Sequence, residues 1–70
     1  MWKNKKPDRD GVWIWRFPKH HDIMGVILVQ GKTVIEMGDY PAKKYDIDIW
    51  WDISYVDTFY VNGAQDEIHG

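Results

Sequence analysis

A chain of 70 residues makes one small domain, expected to bury only about 60% of its unfolded surface on folding. It has no cysteine, which excludes disulfides and thiolate metal sites as supplements to the core, and its 44% hydrophobic and 16% aromatic content excludes a disordered chain. The net charge of −2 conceals a gradient: residues 1–22 carry six Lys/Arg against three Asp, while residues 46–70 carry six acids and neither Lys nor Arg.

The first ten residues, Met1 to Asp10, are polar and mostly charged, and read as a flexible basic arm ahead of a β domain over 11–63. A signal peptide needs an apolar stretch directly after its basic residues, and the charges here run on to Asp10. No window reaches the roughly 18 apolar residues of a membrane span, so the sequence predicts a cytoplasmic protein without a membrane partner.

Val12 to Phe17, β-branched and aromatic between Gly11 and Pro18, reads as the first strand. Ile23–Gln30 and Thr33–Met37 flank Gly31-Lys32 as a hairpin. The segment 40–45 leaves room for one short helical turn behind Asp39. From Asp46, the residues Ile47, Ile49, Trp51, Ile53 and Tyr55 alternate with Asp46, Asp48, Trp50, Asp52 and Ser54, a period of two that predicts a strand with one core face and one acidic face. Thr58–Val61 gives a fifth strand, and 64–70 a polar tail. The fold class expected is therefore all-β, with four to five antiparallel strands in a curled sheet or small barrel.

Side-chain alternation carries the reading toward function. Trp13, Trp15 and Phe17 share one strand face and Val12, Ile14 and Arg16 the other. In the next strand, Ile23, Ile27 and Val29 oppose Met24, Val26 and Leu28. Both strands are apolar on both sides, whereas an antiparallel sheet with a solvated face alternates cleanly. A second copy or another protein is expected to cover the spare face, which points to a homodimer.

Few motifs carry chemistry. His20-His21-Asp22 falls short of a metal site, since neighbours in a strand point apart and His69, the third histidine, lies in the tail. The only serine, Ser54, has no nucleophile-elbow context, and no glycine-rich phosphate loop occurs. No cofactor and no enzyme activity are expected. Asp46, Asp48, Asp52 and Asp57 make a negative surface able to dock on a basic one. Trp50, placed among them by the alternation, is the expected exposed anchor, tryptophan being a favoured interface residue.

The run Gly11-Val12-Trp13-Ile14-Trp15-Arg16, followed by the hairpin to residue 37 and an aromatic second half, resembles small phage and prophage accessory β-proteins. That resemblance implies an anti-defence role, including inhibition of the anti-CRISPR kind. The function expected is a non-enzymatic interaction module that sets Asp46, Asp48, Trp50, Asp52 and Asp57 on a basic, nucleic-acid-facing surface of a larger protein, such as a nucleic-acid-binding effector. The alternatives are a dimeric binder of a small ligand or nucleotide, with an aromatic pocket from Trp13, Trp15 and tyrosines, and nucleic-acid binding by Lys3, Lys5, Lys6 and Arg9 with Trp2.

Overall fold

The computed structural model describes residues 2–62. The elements run β1 (Gly11–Phe17), β2 (His20–Gln30), β3 (Thr33–Glu36), β4 (Lys43–Asp46), α1 (Ile47–Ser54) and β5 (Asp57–Asn62). The protein is mostly β. One antiparallel sheet has the order β4-β3-β2-β1-β5, so the first four strands form a meander and β5 joins its far edge. The sheet stays open, with β4 and β5 as its edges, and does not close into a barrel.

Turn chemistry sets the meander. Gly31 has φ 61° and Lys32 does not share a positive φ, the pattern of a two-residue turn with glycine at its first central position. The Asp10 carboxylate accepts the Gly31 N–H at 2.9 Å, which ties this turn to the start of β1.

Chain path dictates the helix. The connection from β4 to β5 must cross the whole sheet, four strand spacings or about 19 Å. Eight helical residues span about 12 Å of this, and Tyr55 and Val56 complete it. Ile47–Ser54 is therefore a helix and not the strand that the alternation over 46–55 predicts; Asp46 alone of that run is in a strand, as the last residue of β4. The Asp46 carboxylate caps α1, accepting the Asp48 and Ile49 N–H groups at 2.9 and 3.3 Å, and Asp48 in the first turn complements the helix dipole. At helical spacing Ile47 and Trp50 turn inward and are buried. The helical turn expected near 40–45 is absent: that stretch leads into β4, a short charged edge strand of the kind that resists further pairing.

The core lies between α1 and one face of the sheet. Trp13, Ile27, Val29 and Val34 supply the sheet side, Ile47 and Trp50 the helix side, and Val56 closes one end. The Trp13 indole N–H donates to the Arg9 carbonyl at 2.9 Å. Thr58, buried among these residues, donates its hydroxyl to the Lys5 carbonyl at 2.7 Å.

Residues 2–10, expected as a free arm, lie along β5 and α1. Lys3 and Thr58 exchange backbone hydrogen bonds of 2.9 and 2.8 Å, the Asn4 amide donates to the Val56 carbonyl at 3.2 Å, and Pro7 is buried. The polar tail 64–70, and His69 with it, lies outside the described residues. No helix among those described is long and apolar enough to cross a membrane.

Candidate functional site

The five residues expected to form one acidic, tryptophan-bearing surface are distributed by the helix over different tasks. Trp50 is only 3% exposed and faces the sheet, so it is a core residue and not a surface anchor. Asp46 is occupied by capping. Asp48 meets Lys6 in an ion pair of 2.6 Å. That hydrogen bond, reinforced by the lysine's charge, holds the Asp48 carboxyl below the usual carboxylate range, and the same contact raises Lys6. Asp57 opens β5 beside Arg16 of β1 and accepts a long hydrogen bond from the Asn4 amide, 3.4 Å. Asp52 stands exposed with no ion-pair partner among the described residues, as does Asp46 apart from its capping role. The outer side of α1 instead shows Ile49 and Ile53, 58% and 64% exposed. Both were core positions in the alternating reading, and the change of period from two to 3.6 reverses them.

The aromatic face of β1 divides into two parts. Trp13 belongs to the core, with Tyr60 at 5.0 Å in an edge contact. Trp15 and Phe17 are half-buried and meet edge to face at 5.4 Å. Trp15 sits opposite Gly25 and its indole covers that glycine: a Cβ there would lie 2.5 Å from three ring atoms. Beyond Trp15, a cavity of about 270 Å³ opens between the sheet and α1, lined by both rings and by Glu36, Tyr45 and Trp50. Sequence reasoning missed Gly25, Glu36 and Tyr45, which no local motif connects. The signals present were a glycine inside an apolar strand and a lone carboxylate on the inward parity of β3.

Among the described residues, no helix lies over the other face of the sheet. Val12 pairs with Leu28, Ile14 with Val26 and Arg16 with Met24 across β1 and β2. Phe59 flanks Ile14 on β5, and Ile35 flanks Leu28 on β3. Met24 and Val26 are 57% and 44% exposed. Trp2 covers one corner, with its ring edge-on to Phe59 at 5.6 Å and the Arg16 guanidinium 4.3 Å over it. This is the spare apolar face that the doubly hydrophobic strands foretell.

The basic residues gather at a second cavity of about 240 Å³, where Lys3, Lys5, Lys6 and Arg9 surround Trp13 and Tyr60. Much of that charge is engaged within the chain: Lys5 and Arg9 flank Asp8 at 3.3 and 3.7 Å, Lys6 holds Asp48, and Arg9 lies 4.8 Å over the Tyr60 ring. His20 and His21 are adjacent and exposed on β2, and among the described residues no group of three His, Cys, Asp or Glu is placed to hold a metal ion. Ser54 donates its hydroxyl to the Trp50 carbonyl at 2.6 Å as part of the helix end. In comparisons with known proteins, no family model, no curated protein and no solved structure matches the chain.

Proposed function

We propose that this chain is a non-enzymatic protein-interaction module whose working surface is the open apolar face of its sheet, and that a second copy of the chain occupies that face. The observation that carries the reading is the asymmetry of the sheet: α1 covers one side, while Met24 and Val26 stand exposed at the centre of the other, among Ile14, Leu28 and Phe59. An apolar sheet face is complementary to itself, since two sheets pack about 10 Å apart with interleaved side chains. A two-fold axis between two copies satisfies both faces at once.

The footprint sets the strength. Five strands, about 19 Å across and about 20 Å long, offer roughly 400 Å², half of the ~800 Å² per partner in a standard interface. A footprint of this size is smaller than that of an obligate dimer, so the association is expected to be reversible with concentration. Sedimentation across low micromolar to sub-millimolar concentrations tests it: the mass should rise toward two chains, and Val26→Lys should hold it at one without changing the circular dichroism spectrum. A single-chain mass at every concentration, or association undiminished by Val26→Lys, refutes the proposal.

A second reading keeps the acidic surface. Ile49 and Ile53 sit one turn apart on the outside of α1 beside Asp48 and Asp52, an apolar stripe with a negative rim suited to a basic surface on a larger protein. An Ile49→Lys/Ile53→Lys variant separates the two readings. It leaves self-association intact under the first and abolishes salt-sensitive binding to a cationic partner under the second.

A further inference from the structure

The cavity beside Trp15 lies on the covered side of the sheet and does not depend on what occupies the open side. Its walls come from four elements. Trp15 and Phe17 are two residues apart on β1 and so face the same way. Glu36 stands two positions beyond the buried Val34 on β3, and Tyr45 of β4 pairs with Val34. Trp50 comes down from α1, and Ile53 forms the rim. Four aromatic rings thus line one open cavity together with one carboxylate. The rings are held in place: Trp15 is seated on Gly25, Phe17 meets it edge to face, and Trp50 is locked in the core.

Glu36 is the unusual member. It is half-buried, yet it takes part in none of the ion pairs among the described residues. Its cross-strand neighbour Lys43 is exposed and equally unpaired. A partly shielded carboxylate gains from a cation brought beside it. Aromatic faces carry the negative end of the ring quadrupole and attract the same charge.

The kind of cation follows from the few acceptors available. A primary ammonium brings three N–H donors and a guanidinium five, and the cavity offers one carboxylate among rings, with the Tyr45 hydroxyl and a Ser54 hydroxyl already bonded to the Trp50 carbonyl as its other side-chain oxygens. Calcium and magnesium need six or more oxygen ligands. A methylated ammonium has no such demand, because its charge is spread over methyl groups that pack against rings. The volume of about 270 Å³ lies at the lower edge of the ~300–1,000 Å³ of pockets for drug-sized ligands and accommodates a head group. We infer that this cavity binds a methylated ammonium cation, held against Trp15, Phe17, Tyr45 and Trp50 and counter-charged by Glu36.

The test uses the full-length ¹⁵N-labelled protein and follows the tryptophan indole N–H signals. Tetramethylammonium chloride should shift the Trp15 and Trp50 signals saturably. The Trp13 signal, whose N–H is held by the Arg9 carbonyl, should stay as the internal reference, and matched sodium chloride should move none. The neutral isostere 3,3-dimethylbutanol should bind about tenfold more weakly, as should tetramethylammonium to Glu36→Gln, about the loss expected for one partly desolvated charge. Trp50 is a core residue, so Tyr45→Leu is the second variant read, with circular dichroism reporting the fold of each. Choline and a trimethyl-lysine peptide distinguish the source: tighter choline marks a free small molecule, and a tighter peptide marks a protein side chain. Unmoved indole signals, equal binding of the neutral isostere, or undiminished binding to Glu36→Gln overturns the inference.

Discussion

Gly25→Ala isolates the contact that organises the covered side of the sheet. Gly25 has no positive φ, so alanine is acceptable to its backbone and only the space above it is at issue. A Cβ there falls 2.5 Å from Cε2, Cζ2 and Nε1 of Trp15, about 1 Å inside the usual 3.5–4.0 Å contact distance. The indole must lift or turn. Overpacking of this size costs typically 1–3 kcal/mol, and weakening the edge contact with Phe17 adds up to about 1 kcal/mol. Against this, alanine in a strand recovers roughly 0.5–1 kcal/mol of chain entropy relative to glycine. The net expectation is a loss of about 1–2 kcal/mol, or a fall in Tm of roughly 4–16 °C for a domain of this size. The diagnostic measurement is a double-mutant cycle by urea denaturation, with Trp15→Val as the second site. With the indole gone, Gly25→Ala should become neutral or stabilising. An equal cost in both backgrounds would refute the steric account and, with it, the seat that holds Trp15 against the cavity.

Other substitutions probe the helix and the ends of the chain. Asp46→Ala removes the cap of α1 and should cost about 0.5–2 kcal/mol by denaturant midpoint, while Asp46→Asn should cost little. Tyr55 ends the helix at φ 53° with its side chain 80% exposed, so Tyr55→Gly should raise stability by about 1 kcal/mol, glycine being free of the left-handed penalty. The Lys6–Asp48 pair predicts a pH window. The lowered Asp48 value gives a contribution present above the ordinary carboxyl value of 3.8 and lost as pH falls through the folded value. The raised Lys6 value gives one present below the ordinary 10.5 and lost as pH rises through the folded value. Both groups are exposed, so urea midpoints should show a small effect that salt screens and Lys6→Met removes.

The parts of the fold legible in the sequence are those with local causes. The β2–β3 hairpin follows from one glycine between two β-rich runs, and β1 from Val12 to Phe17 bounded by glycine and proline. Helix α1 was hidden because Ile47, Ile49, Trp51 and Ile53 satisfy a period of two, while Ile47, Trp50, Trp51 and Ser54 satisfy a helical one equally well. What decides between them is remote: β5 joins the far edge of the sheet, and the connection has to cross its face. One local sign did favour the helix, an aspartate directly before an apolar run with a second acid in the first turn. Strand β4 was missed because Lys43-Lys44-Tyr45-Asp46 holds a single apolar residue and pairs only as an edge. The cavity was illegible for a stronger reason, since its rings and its carboxylate come from four elements that only the finished topology brings together.

The charge gradient along the chain also acquires a different meaning in three dimensions. A basic beginning and an acidic end suggested two surfaces, one for phosphate and one for a basic partner. Lys3 pairs with Thr58 and Lys6 with Asp48, so the chain's two oppositely charged halves lie against each other and part of their charge is spent within the domain. Lys5 and Arg9 are likewise turned toward Asp8. Among the described residues the hydrophobic surplus has no such internal outlet on the outer side of β1 and β2. One short helix can cover one face of a five-stranded sheet, and the same strands present Ile14, Met24, Val26 and Leu28 to the other. The proposed association through that face rests on the apolar count of the strands and the length of α1, whereas association through charge must rely on what the internal pairs leave over, on α1 chiefly Asp52.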